Sequence, residues 1–130
     1  MKKIITMILV VTIVLCAAVP AFAAKGTFNR DIGANGSWRG AERTIAITNP
    51  RCLNTSSYYT NNGANYSCSI RTRLINANTG NDASRTALVA YGATYNYQAS
   101  GTGSLAIGTK VRMWIGNPHA YALHAQGTIY

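Results

Sequence analysis

The sequence predicts an all-β domain behind an export leader: a small antiparallel β-sandwich, or a small barrel, of about six or seven strands. Three observations carry this. Apolar residues recur at alternate positions through several runs, clusters of Gly and Asn separate those runs, and no stretch after residue 24 sustains a helical period.

The leader comes first. Lys2 and Lys3 precede an apolar run from Ile4 to Val19, which breaks at Pro20 and passes into Ala21-Phe22-Ala23-Ala24. A charged, an apolar and a small-residue region in that order form a secretory signal, with cleavage expected after Ala23. The run is shorter than the roughly 20 residues that span a membrane, which argues against a retained anchor. Cys16 lies inside the run and is removed with it. Residues 1–23 are therefore read as signal peptide and 24–130 as a single secreted domain.

Residues 24–42 carry the least pattern and read as a loosely held arm or edge strand. Arg43 to Thr48 alternates, with Ile45 and Ile47 predicted inward. The clearest run is Tyr66 to Leu74, where Tyr66, Cys68, Ile70 and Leu74 share one face and Ser67, Ser69, Arg71 and Arg73 the other. Ala87 to Tyr91 is a shorter candidate, and Ala93 to Ala99 is rich in β-favouring Thr and Tyr. Thr109 to Ile115 turns Val111, Met113 and Ile115 inward and leaves Lys110, Arg112 and Trp114 outside. Tyr121 to Ile129 closes the set, with His124, Gln126 and Thr128 outward. Turn formers lie between these runs, among them Asn61-Asn62-Gly63 and Gly116-Asn117-Pro118. Gly and Asn tolerate the positive φ that tight reversals need.

With the leader gone, ten basic residues face Asp31, Glu42 and Asp82, a net charge of about +7. Eight of the ten are arginine, whose planar fork suits phosphate and carboxylate. Anionic cell-wall polymers, membrane surfaces and nucleic acid are the partners this charge fits. Cys52 and Cys68 are the cysteines left in an oxidising compartment, and a structural disulfide between them is expected, contributing roughly 3 kcal/mol.

Catalytic motifs are missing from the sequence. There is no Gly-x-Ser-x-Gly elbow and no P-loop, and three acidic residues leave little for paired-carboxylate chemistry. His119 and His124, five positions apart, fall on opposite faces of a strand, so no metal site and no cofactor is predicted. A small ribonuclease would need a carboxylate, a histidine and arginines. Glu42, His119 or His124, and Arg71, Arg73 or Arg112 supply these types without a local motif. The candidate site is instead the outward face carrying Arg71, Arg73, Lys110, Arg112 and Trp114, where cations and an indole together suit anionic surfaces or stacked bases. Trp38-Arg39, beside Gly36 and Gly40, is a second such pair, read as lying in a loop.

The layout resembles a group of uncharacterised small secreted β proteins of Gram-positive bacteria and, more distantly, the lactococcin-type bacteriocins. The shared features are the lysine-started leader, Trp38-Arg39, the Ser69 to Leu74 strand, Tyr97 to Gly103, Val111-Arg112-Met113 and the closing Gly127-Thr128-Ile129-Tyr130. The cysteine pair departs from both groups, and no functional residue carries over. The expected function is non-enzymatic binding of an anionic envelope or extracellular ligand. A bacteriocin-like antibacterial toxin and a small secreted ribonuclease are the alternatives.

Overall fold

A computed structural model describes residues 25–130; the leader read at 1–23 lies outside them. The described chain is all β, with nine strands and no helix. They are β1 (Gly26–Ile32), β2 (Ser37–Thr44), β3 (Arg51–Asn61), β4 (Ala64–Ser67), β5 (Ile70–Asn76), β6 (Ala87–Val89), β7 (Thr94–Asn96), β8 (Lys110–Gly116) and β9 (Leu123–Ile129). One sheet runs β1-β9-β3-β4, with β7 also on β3, and the other runs β2-β8-β5-β6. Every pairing is antiparallel.

The inner faces meet in one core. Phe28 and Ile32 of β1, Leu123, Ala125 and Ile129 of β9, Ile70 and Leu74 of β5, and Val111, Met113 and Ile115 of β8 are buried together. Each follows the period of two, which is why a chain with modest overall hydropathy can still gather its apolar side chains into one core. Tyr97 is buried among them, its hydroxyl 2.7 Å from Thr72 Oγ1. At the β3–β4 reversal Asn62 and Gly63 both take positive φ, 51° and 78°. That is the backbone a two-residue Asn-Gly hairpin requires.

Several expectations are corrected. The predicted disulfide is absent: Cys52 and Cys68 are both free. The Cys68 amide donates to the Ser57 carbonyl at 3.0 Å, and Ser57 is five positions along β3 from Cys52. At roughly 3.3 Å per residue Cys68 joins β3 about 16 Å along the strand from Cys52, where a disulfide tolerates about 7 Å between Cα atoms. Burial pushes the Cys52 thiol up to about 12, against the opposing pull of its hydrogen bond with Tyr97. Burial also raises Cys68, opposed by a hydrogen bond with Ser57.

The Tyr66 to Leu74 run is two strands, not one. The chain leaves β4 at Ser67, crosses at Cys68-Ser69 and enters the other sheet as β5, so Tyr66 is exposed while Ile70 and Leu74 are core. The supposed N-terminal arm is two full strands, because β1 finds β9 along its whole length and β2 finds β8. Ile47, expected inward, lies past the end of β2 and is exposed.

Candidate functional site

The five residues singled out from the pattern meet on one surface, the outer face of the β2-β8-β5-β6 sheet. β5 and β8 are adjacent, with Arg73 opposite Trp114 and Arg71 opposite Gly116. Lys110 and Arg112 continue the row along β8, facing Thr44 and Glu42 of β2.

A β-bulge adds two residues to this face. In β2 the register shifts between Arg39 and Glu42: Arg39 pairs with Trp114 and Glu42 with Arg112, so β2 advances three positions while β8 advances two. A regular strand would turn residues three apart to opposite faces. The extra residue of the bulge brings Arg39 and Glu42 to the same outer surface. Arg39, read from sequence as a loop residue, thus joins the site. Trp38 points the other way, its ring 5.4 Å from the Arg30 guanidinium.

The result is a row across three strands, Arg39, Trp114 and Arg73. Neighbouring strands lie about 4.8 Å apart, so the two arginine backbones flank the indole at about 10 Å from each other. The six-membered ring of Trp114 lies over Gly116, where any Cβ would collide with it. Glycine at this position therefore allows the indole to lie down along its own strand. Arg73 covers the ring from the neighbouring strand, with its guanidinium 4.5 Å from the centroid.

Carboxylates temper the charge. Glu42 Oε1 lies 3.3 Å from Lys110 Nζ and Oε2 lies 3.9 Å from Arg112 Nη2. Arg73 Nη1 donates to Asp82 Oδ2 at 3.3 Å, and its Nε stands 3.2 Å from Oδ1 without hydrogen-bond alignment. These pairs are solvent-facing and contribute at most about 1 kcal/mol each, so their main effect is to orient the cations. Among the described residues Arg39 and Arg71 have no acidic partner. Beside Arg71 in the register stands Leu88 of β6, 63% exposed. Ile75, opposite Arg112 and outside the core cluster, is buried even though it shares that outer face.

The ribonuclease ingredients do not meet. Glu42 lies on this sheet, whereas His124 is on the other, with its Nδ1 2.7 Å from Asp31 Oδ1 and its ring 5.0 Å from that of Tyr58. His119 Nε2 is 3.1 Å from the Ser69 carbonyl, so that nitrogen carries the proton and donates. The His119 ring packs beside Tyr59, which stacks between Tyr66 and Tyr121. Among the described residues no three His, Cys, Asp or Glu side chains converge as a metal-ligand set.

No protein-family model matches this chain, and no curated protein is significantly similar to it.

Proposed function

We propose that the chain is an exported, non-enzymatic protein that binds an anionic polymer of the cell envelope or its surroundings through the outer face of β2, β8 and β5. The observation that carries this reading is the Arg39, Trp114, Arg73 row: an indole covered by the Arg73 guanidinium, with Arg39 opposite it on the other neighbouring strand and Arg71 beside it. Guanidinium forks bind phosphate and carboxylate oxygens, and an indole accepts the apolar face of a repeating unit between charges. Five cations, Arg39, Arg71, Arg73, Lys110 and Arg112, share the surface with two carboxylates, Glu42 and Asp82. Net positive charge therefore remains after internal pairing, which favours association with a polyanion and makes it salt-sensitive.

The test incubates purified protein with isolated cell walls, vesicles of anionic phospholipid, and RNA over a salt series. Retention on cell walls that falls as salt rises, and that drops at least tenfold in Arg39→Ala/Arg71→Ala, is the expected result. Retention indifferent to salt and to that double variant would overturn the proposal, and RNA cleavage would overturn its non-enzymatic part.

A further inference from the structure

A second surface lies at one end of the sandwich, where the chain leaves β2 and where it enters β8. The segments are tied together: the Ile45 amide donates to the Thr109 carbonyl at 2.9 Å and the Gly108 amide to the Ile45 carbonyl at 2.8 Å. Two cavities open there on either side of Pro50, which lines both. The smaller, about 80 Å³, is walled by Ile45, Ile47, Leu74, Val111 and Ile129. The larger, about 340 Å³, is bordered by Tyr97, Leu105 and Ile107. That size stands near the lower end of the roughly 300–1,000 Å³ of small-molecule sites. Ile47 and Ile107 remain 37% and 63% exposed, an apolar rim left in water.

The polar groups at this end are cationic. Lys25 and Arg43 line the smaller cavity together with Tyr130. Lys25 Nζ sits 5.7 Å and the Arg51 guanidinium 4.8 Å from the centre of the Tyr130 ring, so that ring gathers two cations near the mouth. The Arg43 guanidinium packs against the Gly26 backbone, where a side chain would displace it. The chain's three acidic side chains are engaged elsewhere, Asp31 with His124, Glu42 with Lys110 and Arg112, and Asp82 with Arg73. An apolar cleft whose mouth gathers Lys25, Arg43 and Arg51 keeps a positive balance even against a backbone carboxylate on Tyr130, and is complementary to one kind of small molecule.

We propose that this end binds a single-chain anionic amphiphile, of which a medium-chain fatty carboxylate is the simplest case. The head group lies beside Lys25 and Arg43, and the chain runs past Pro50 toward Leu105 and Ile107. Charge complementarity selects the head and the apolar lining selects the chain. This site is separate from the outer face of β2, β8 and β5, so it stands or falls independently of polymer binding.

The test is an amide NMR titration with decanoate, decanol and decyltrimethylammonium, each kept below its aggregation threshold. Decanoate should shift resonances at Ile47 and Ile107 and bind about tenfold more tightly than decanol, with the cation weakest. Lys25→Glu, at an exposed position, should erase the preference for decanoate while leaving decanol binding in place. Ile107→Asp, also exposed, should weaken both. Equal affinities for decanoate and decanol in the unmodified protein, no decanoate binding at all, or indifference to Ile107→Asp would each overturn the proposal.

Discussion

The Arg73 guanidinium lies 4.5 Å from the centre of the Trp114 ring, on the strand next to it. A cation over an indole face at a partly exposed site contributes about 0.5–1 kcal/mol. A double-mutant cycle of Arg73→Ala and Trp114→Leu, read by urea denaturation, should return a coupling energy in that range. A coupling near zero would mean the two groups are neighbours without interacting.

Glu42 occupies two of the cations that the proposed site offers to a ligand. Glu42→Gln should leave stability within about 1 kcal/mol of the parent, since exposed ion pairs contribute little. It should also tighten retention on anionic polymer severalfold and steepen its salt dependence. The comparison is made by co-sedimentation at several ionic strengths, where weaker retention would count against the site.

Gly116 is the floor on which the Trp114 ring rests. Gly116→Ala should force the indole off the sheet at a cost of about 1–3 kcal/mol, as overpacking does elsewhere. Trp fluorescence should shift toward longer wavelength as the ring gains solvent, and polymer binding should weaken although no charge is lost. Unchanged emission would show that the ring does not depend on that glycine.

The thiols titrate in a direction that fixes a pH dependence. Burial holds the native Cys52 thiol up to about 12, whereas an unfolded cysteine ionises near 8.5. The native state therefore keeps a proton that the unfolded state gives up. That stability is complete below about pH 8.5 and is lost as pH rises toward 12. Tyr97, raised well above 10 by burial and by the Cys52 thiol beside it, acts in the same direction. Denaturation midpoints should fall across this window, and Cys52→Ala should make the fall shallower. Thiol labelling followed by mass spectrometry should find Cys68 slowly reactive and Cys52 protected until the protein unfolds.

Much of this was legible in the sequence where one strand carries its own alternation. β8 could be assigned face by face because Val111, Met113 and Ile115 repeat without interruption, and in β9 Leu123, Ala125 and Ile129 obey the same rule, whereas Tyr121, expected on that inner side, precedes the strand and is exposed. The face shared by Arg71, Arg73, Arg112 and Trp114 followed from the same rule. The rule fails where the backbone slips. It continues unbroken through Cys68-Ser69, so nothing in residue order announces that Tyr66 and Ile70 belong to different sheets. It also counts Glu42 as facing opposite to Arg39, because the bulge between them has no signature of its own beyond Gly40. β1 escaped notice for another reason. Its core side chains are Phe28 and Ile32 with Arg30 between, too few for a pattern until β9 supplies the partner. The disulfide expectation rested on compartment and cysteine number, which say nothing about where along β3 the second thiol arrives.

In the first sheet β9 separates β1 from β3, hydrogen-bonded to one on each side. During synthesis both waiting strands exist long before the segment that joins them, and neither can complete its ladder alone. A chain stopped before Leu123 would present two open edges, the situation in which β proteins associate with one another. Assembly of this sheet is thereby deferred until β9 has been made.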